Sequence, residues 1–436
     1  MTIKGMTSCE SRFTARTSVG LTALATALLT AVCAAPALAA PPTQSAPSTP
    51  NAPAGPHSSA ADTARPTDRA RGTLLSVTPL QQVSREKVAE VVRANGTDAR
   101  SVRYGIAAYR LTYATVSPTG QPTTASALFV LPDGGAKHLA TVAEHHGTTG
   151  YRGGAPSTGG DYSTLGAWLY ASSGRAAVAP DYLGLGTGPG THPYVDTASS
   201  VTASIDALRA ARTAATQQGR TLTREVHVTG FSQGGQVAMA VGKELARGAD
   251  RHFRLRSLAP VAGPYDIAGQ ELPALFDGRI EDGSAVYYLS YFLTAQNRLH
   301  HLYGDPREVY REPYAGTIEA LFDNDHTEEE IARGLAPNIK ALLTDEWAAR
   351  LKHPTGKLAE VIARNDGACE WQPRVPVRLH TSTGDRDVPI GNATSCAGML
   401  AERGVRAKVI DHGDLDHGDT YLQAIGQNAN WYARLG

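Results

Sequence analysis

The sequence predicts an α/β fold: a mainly parallel, twisted sheet with helices on both faces and an inserted helical cap. Short apolar segments of strand length alternate with helical stretches from about residue 139 onward. This alternation is typical of a parallel sheet that is covered on both sides. Residues 263–374 interrupt it with a hundred-residue stretch that favours helices alone. We therefore expect a core of residues 72–262 and 375–436, with residues 263–374 (the insertion) as a cap.

The individual elements follow from apolar periodicity and turn residues. Two β-rich runs at 104–116 and 123–131 flank a Ser-Pro-Thr-Gly turn, which predicts a hairpin. Further strands are expected at 139–144, 176–180, 225–229, 255–261, 377–380 and 407–410. Core helices are expected at 163–173, 197–217, 235–247, 392–403 and 418–434. Within the insertion, helices are expected at 284–296, 317–322, 327–334, 337–343 and 358–364.

The first 39 residues have the pattern of a Sec-type signal peptide. Basic residues precede an apolar run at 19–35, and Ala37-Leu38-Ala39 supplies the small residues that a signal peptidase reads. We expect cleavage after Ala39 and secretion, with a retained membrane anchor as the alternative. Residues 40–71, rich in Pro, Ala, Ser and Thr, are expected to be disordered because they offer little apolar surface to bury.

Composition excludes several classes of function. The 436 residues contain 41 Lys+Arg and 41 Asp+Glu, so no net positive charge draws the chain to nucleic acid. No apolar run after the first forty residues reaches the roughly 18 that a membrane span needs, so we expect no stable membrane insertion. The sequence does not indicate an oligomeric state.

Cysteine usage predicts one disulfide. Cleavage after Ala39 would remove Cys9 and Cys33 and leave Cys369 and Cys396. In an oxidising compartment two such residues form a disulfide, the alternative being two buried free thiols. Two cysteines are too few for a four-ligand zinc site, and we expect no metal.

A candidate nucleophile is Ser232, in the run Gly230-Phe231-Ser232-Gln233-Gly234-Gly235 directly after a strand. Small residues two positions before and after a serine allow the tight strand-to-helix turn that lifts its hydroxyl above the sheet. Because a serine hydroxyl is a weak nucleophile, a general base must accompany it.

The base and its acid are expected at two later strand ends. His417 is favoured as the base over His412 because it stands a few residues beyond its strand and just before a helix. The acid is Asp385 or Asp387, which follow the strand at 377–380.

A third strand end offers the groups of an oxyanion hole. The turn His146-Gly147-Thr148 follows the strand at 139–144, and the backbone N–H groups of Thr148 and Gln233 can stabilise an oxyanion. A metal site formed by His145 and His146 is the rival interpretation. Adjacent residues of an extended segment point to opposite faces, which disfavours it.

Together these pieces resemble the α/β-hydrolase superfamily, and more narrowly the secreted lipases and esterases related to yeast-type secretory lipases. The resemblance runs from about residue 104 to the C-terminus and rests on these segments: 146–150 (HGTTG), 179–186 (APDYLGLG), 230–235 (GFSQGG), 384–389 (GDRDVP) and 416–418 (DHG). It implies that Asp385, three positions before Val388-Pro389, is the acid. It also implies that the insertion is a lid and that no cofactor is needed.

The predicted function is that of a secreted serine hydrolase that cleaves small-molecule or lipid carboxylic esters through an acyl-enzyme at Ser232. The alternatives are a prolyl-peptidase-type peptidase, an acyltransferase on the same fold, and a non-catalytic binding protein. Asp181 is expected to form a turn. Thr327 and Glu330 are expected to cap a helix rather than belong to a calcium loop. The aromatic segment 286–293 is expected to pack within the cap, with part of one face lining an acyl pocket.

Overall fold

The structure, a computed structural model, describes residues 71–159 and 161–435. Its strands are β1 (Leu74–Val83), β2 (Gly105–Val116), β3 (Pro122–Asp133), β4 (His138–His145), β5 (Ala176–Pro180), β6 (Thr221–Gly230), β7 (Arg254–Leu258), β8 (Arg378–Thr381) and β9 (Lys408–Asp411). Seven of them pair in the order β1-β2-β3-β5-β4-β6-β7, and β8 pairs with β9. Single bridges from Leu258 to Val377 and from Val261 to His380 join the two sets.

The sheet is antiparallel on one side and parallel on the other. The pairs β1–β2, β2–β3 and β3–β5 are antiparallel, whereas β5–β4, β4–β6, β6–β7 and β8–β9 are parallel. The carboxyl ends of the parallel strands therefore meet at one edge, where ligands of such sheets bind.

The helices of the core cover both faces of the sheet. They are α1 (Arg85–Ala94), α2 (Asp161–Ser172), α3 (Thr197–Gln217), α4 (Gln233–Ala246), α13 (Gly391–Glu402) and α14 (His417–Leu435). Alternate residues of β3 enter two separate apolar clusters: Phe129 packs with α3 and α4, and Val130 with α2 and α14. The fold class predicted from the sequence is confirmed.

The insertion is built from one long helix, α6 (Asp282–His300), and seven shorter ones: α5 (Leu272–Asp277), α7 (Pro306–Val309), α8 (Ile318–Leu321), α9 (Glu328–Gly334), α10 (Ile339–Leu342), α11 (Asp345–Lys352) and α12 (Gly356–Asn365). Their apolar faces share a cluster of their own around Tyr291, Phe322 and Trp347. The predicted capping box is present, with the Thr327 and Glu330 side chains each bonded to the other's backbone.

Five elements were not predicted. The edge strand β1 is mostly exposed and shows no strict alternation of apolar and polar residues, so it lacks the usual strand signal. Helix α1, with a buried face of Val88, Ala89 and Val92, follows it directly. In the insertion, α5 spans six residues, α7 four and α11 eight. Helices this short contain too few residues to show a clear apolar periodicity in the sequence, and their stability depends on tertiary packing.

Cys369 and Cys396 form the predicted disulfide, with their Cα atoms 5.3 Å apart. Within the described ranges no helix is both long and apolar enough to span a bilayer. The predicted signal peptide (1–39) and nearly all of the predicted disordered segment (40–71) lie outside the described residues.

Candidate active site

Ser232 stands in a strained turn between β6 and α4. Its backbone has φ 55° and ψ −123°, an unfavourable conformation for a residue with a side chain. The turn is also tight: a Cβ on Gly230 would collide with the carbonyl of Gly234, and one on Gly234 with the carbonyl of His145. The glycines flanking Ser232 are therefore required by sterics, as the sequence pattern predicts.

His417, the first residue of α14, is hydrogen-bonded to Asp385. The distance from its Nδ1 to Asp385 Oδ2 is 2.7 Å, and both side chains are buried. The other carboxylate oxygen of Asp385 accepts hydrogen bonds from the backbone N–H groups of Asp387 and Val388, each at 2.9 Å. These contacts fix the orientation of the carboxylate and, through it, that of the imidazole.

The imidazole lies beside the turn that bears Ser232. The ring centroids of His417 and Phe231 are 4.5 Å apart. His417 Nε2 is buried and has no hydrogen-bond partner among the described residues. The nitrogen that could accept the proton of Ser232 is thus not engaged elsewhere, and such hydrogen bonds often close only when substrate is bound.

Nearby carboxylates control the ionisation of His417. Burial pushes its pKa down, but the negative charges of Asp385, Asp387 and Glu271 and the hydrogen bond that its Nδ1–H donates to Asp385 outweigh burial and raise the pKa to about 9. The site therefore stabilises the imidazolium ion, the form that a base reaches after taking a proton.

The turn after β4 offers a free backbone donor next to Ser232. A Cβ built on Gly147 would lie 3.4 Å from the Cβ of Ser232. His146 Nδ1 lies 2.7 Å from the carbonyl oxygen of Gly147, and in a trans peptide the next N–H points the opposite way. This bond therefore sets the direction of the Thr148 N–H. The Thr148 and Gln233 amides donate to no other backbone group among the described residues.

Ser232, Thr148 and Gln233 line one cleft, whose remaining wall comes mostly from the insertion and is mostly apolar. The cleft has about 750 Å³ of empty volume, part of it open to solvent. The apolar wall consists of Ile267, Leu272, Leu275, Leu289, Phe292 and Ile362. The packing expected for segment 286–293 is present, since Tyr291 lies inside the insertion, and Leu289 and Phe292 of the same segment line the cleft.

Glu271 is a residue of this cleft that the sequence did not single out. Its Oε1 accepts a hydrogen bond of 2.6 Å from Asn392, and burial together with the charge of Asp385 raises its pKa to about 8. A lone glutamate in an insertion without strands carries no local pattern that could have identified it.

The candidates that the sequence did not favour have other partners. Asp387 accepts a hydrogen bond from Tyr288 at 3.0 Å, and His412 Nε2 lies 2.9 Å from His380 Nδ1. His145 Nδ1 lies 2.8 Å from the Thr229 carbonyl, away from His146. Asp181 is buried and binds the side chains of Ser126 and Ser157, which holds the turn as expected.

One group in the described part of the chain brings three possible metal ligands within 4.8 Å of one another: Asp385, Asp387 and His417. A cation coordinated by His417 Nδ1 would have to displace the proton that this nitrogen shares with Asp385. His417 Nδ1 and Asp385 Oδ2, two of the possible ligand atoms, are therefore already engaged in a hydrogen bond with each other.

Comparison with known proteins gives structural relatives only: no protein-family model and no curated sequence matches the chain. LipA, the rice cell-wall-degrading esterase of Xanthomonas oryzae, is 26% identical, with 84% of this chain and 97% of LipA covered at a TM-score of 0.72. A Legionella pneumophila protein is 24% identical (83% and 98% covered, TM-score 0.75). Candida antarctica lipase A shares the fold at 14% identity (80% and 78% covered, TM-score 0.57). The chain therefore has the α/β-hydrolase fold, and its similarity to the esterase LipA supports a carboxylic ester hydrolase.

Proposed function

We propose that the protein is a secreted serine esterase in which Ser232 is the nucleophile, His417 the general base and Asp385 the residue that orients His417. The observation that carries the proposal is the 2.7 Å contact between His417 and Asp385 beside the strained turn of Ser232. A strained serine next to an oriented imidazole is the arrangement that nucleophilic acyl transfer requires.

In the first half-reaction Ser232 Oγ attacks the ester carbonyl while His417 Nε2 takes its proton. The negative charge on the carbonyl oxygen is stabilised by the N–H groups of Thr148 and Gln233. The tetrahedral intermediate collapses, the C–O bond to the alcohol breaks, and His417 gives its proton to the leaving oxygen. Water then attacks the acyl-enzyme with His417 again as base, releasing the acid and restoring Ser232.

The substrate class follows from the cleft. Its apolar wall suits a hydrocarbon acyl chain, and the insertion, which supplies most of that wall, acts as the lid over the core (72–262 and 375–436). Glu271 adds one hydrogen-bonding group to this wall. We propose a small-molecule or lipid ester as the substrate.

Secretion belongs to the same proposal. The Cys369–Cys396 disulfide fits an oxidising compartment, and residues 1–39 have the sequence of a Sec-type leader. LipA, described as degrading the rice cell wall, is a relative whose target lies outside the cell.

A substrate panel tests the reaction type. Purified protein is assayed on p-nitrophenyl esters of increasing acyl length and on aminoacyl-p-nitroanilides, with Ser232→Ala as the control. Ester turnover that is lost in Ser232→Ala supports the proposal. Anilide turnover would support a peptidase, and silence toward both substrate types would contradict serine catalysis.

A further inference from the structure

The turn that carries the Thr148 N–H is held in place by side chains of the insertion. Glu328, the first residue of α9, accepts hydrogen bonds through Oε1 from the backbone N–H of Gly150 at 2.9 Å and of Tyr151 at 3.3 Å. The same oxygen accepts a third hydrogen bond from the hydroxyl of Thr149 at 2.7 Å. One carboxylate oxygen from the insertion thus binds three consecutive residues that follow Thr148.

Two tyrosines of α6 complete these contacts. The Tyr287 hydroxyl accepts from the Gly150 N–H at 2.8 Å and donates to Glu328 Oε2 at 2.7 Å. The Tyr291 hydroxyl donates to the carbonyl oxygen of Thr149 at 3.3 Å. The Tyr287 hydroxyl therefore bridges the Glu328 carboxylate and the backbone of the turn, and it links both to α6.

Asn324 binds the same turn from a fully buried position. Its backbone has φ 71°, in the left-handed region that Asn tolerates better than most residues. Its Nδ2 donates to the carbonyl oxygen of Gly150 at 2.8 Å, and its own carbonyl accepts from the N–H of Arg152 at 2.8 Å. Burial makes these contacts costly to lose, because the partners would be left unpaired.

The two peptide groups that follow Thr149 are consequently bound at both their N–H and their C=O. Because a peptide group is planar, such binding fixes its orientation. There is no space for adjustment either: a Cβ on Gly150 would lie 2.7 Å from Ile331 Cδ1 and 2.8 Å from the Tyr287 hydroxyl. The insertion thus contacts the backbone of the turn directly.

A second path leads from Asn324 to Gln233, the other expected donor. Asn324 Oδ1 accepts from the backbone N–H of His192 at 2.6 Å. His192 Nδ1 lies 3.0 Å from the Leu183 carbonyl, so this nitrogen carries the proton. Burial lowers the pKa of His192 to about 3, which leaves Nε2 as an acceptor for the side-chain amide of Gln233 at 3.1 Å. Asn324 therefore contacts Gly150, in the turn that carries the Thr148 N–H, and also His192, which binds the side chain of Gln233.

We propose that Asn324 and Glu328 are positioning residues for the oxyanion hole, so that the insertion supplies part of the catalytic geometry as well as the wall of the cleft. The inference rests on the proposed function. Donor position matters most when charge develops on the carbonyl oxygen, so a misplaced donor lowers kcat more than it changes KM.

The test compares isosteric and truncating variants on a p-nitrophenyl ester. Asn324→Asp keeps the acceptor for the His192 N–H but replaces the donor to Gly150 with an oxygen. Complete loss of an oxyanion donor costs about 10²–10³ in kcat, so we expect about a tenfold to hundredfold loss of kcat, with KM within about twofold. Glu328→Ala should also lower kcat, but by a smaller factor than Asn324→Asp, because Glu328 is solvent-exposed. Glu328→Gln, which retains an oxygen for the Gly150 N–H, should restore most of kcat.

Glu319→Gln is the matched control. It alters a 2.7 Å Tyr303–Glu319 hydrogen bond within the insertion, and no hydrogen bond of the Glu319 side chain reaches residues 147–152. It should keep the wild-type kcat, and thermal unfolding should show every variant folded at the assay temperature. Wild-type kcat in both Asn324→Asp and Glu328→Ala would overturn the inference, as would Glu328→Gln failing to exceed Glu328→Ala. Absence of ester turnover in the wild type and in Glu319→Gln alike would instead refute the proposed function on which the inference depends.

Discussion

His417 and Asp385 are joined by a 2.7 Å hydrogen bond, although 32 positions separate them in the chain. The neighbouring carboxylate of Asp387 is occupied by Tyr288 instead. The loop after β8 therefore holds two aspartates with different partners, and their substitution should have different consequences.

The first prediction concerns these aspartates. Asp385→Asn should lower kcat by up to about four orders of magnitude, because an amide in that place favours the wrong tautomer of His417. Asp387→Asn should cost far less. Steady-state kinetics on one ester, with circular dichroism to check folding, measures both variants, and the reverse ranking would contradict the assignment of the acid.

The second prediction is a pH dependence. His417 must be neutral to accept a proton, and its pKa is raised to about 9, so kcat/KM should keep rising with pH above neutrality. Asp387→Asn removes one negative charge that stabilises the imidazolium ion, so the pKa of His417 should fall and the rise should shift to lower pH. The measurement is the profile of kcat/KM between about pH 6 and about pH 10, with Ser232→Ala correcting for spontaneous hydrolysis.

A suitable control for this profile is Glu346→Gln, which changes an exposed carboxylate of α11 that is not among the groups raising the pKa of His417. Its profile should coincide with that of the wild type. If the midpoint of the rise in kcat/KM stays at the same pH or moves to higher pH in Asp387→Asn, the ionisation of His417 does not control the pH profile.

The third prediction concerns the oxyanion donor. Thr148→Ala removes a hydroxyl that contacts Tyr194 but keeps the backbone N–H, so activity should change little. Thr148→Pro removes the N–H itself and should cost about 10²–10³ in kcat. Comparing kcat of the two variants separates the roles of side chain and backbone, and a folded Thr148→Pro enzyme with full activity would exclude this donor.

The fourth prediction concerns stability. The disulfide closes a loop across 27 positions, so the double variant Cys369→Ser/Cys396→Ser should lose about 3.5 kcal/mol in the free energy of unfolding. Urea denaturation of the unreduced proteins measures the difference. The bond links the chain before β8 to α13, on either side of the loop bearing Asp385, so we expect activity to fall as well. Two free thiols in denatured, unreduced wild-type protein would show that the bond does not form.

Much of the fold could be predicted because its signals are local. The turn around Ser232 requires small residues at fixed spacing. Strands β2 and β3 are β-rich runs on either side of a turn, and β4 to β9 overlap the short apolar segments of the sequence. The exposed strand β1 lacks that signal. Choosing between Asp385 and Asp387 required a family resemblance, since both stand at the same strand end.

The contacts of the insertion with the core could not be predicted in this way. Asn324 and Gly150 are 174 positions apart, and their hydrogen bond depends on how α6 and α9 pack against the turn after β4. A buried asparagine in a left-handed conformation leaves no periodic pattern in the sequence. Glu271 could not be identified for the same reason, because only the folded structure shows that it lines the cleft.

The central claim, that Ser232 is an activated nucleophile, is tested most directly by covalent labelling. The protein is incubated with a fluorophosphonate, and its intact mass is measured before peptide mapping locates the adduct. We predict one adduct per chain, on Ser232, with parallel loss of ester turnover, and no adduct in Ser232→Ala. An adduct on another serine, or a Ser232→Ala variant that still hydrolyses esters at the wild-type rate, would contradict the account.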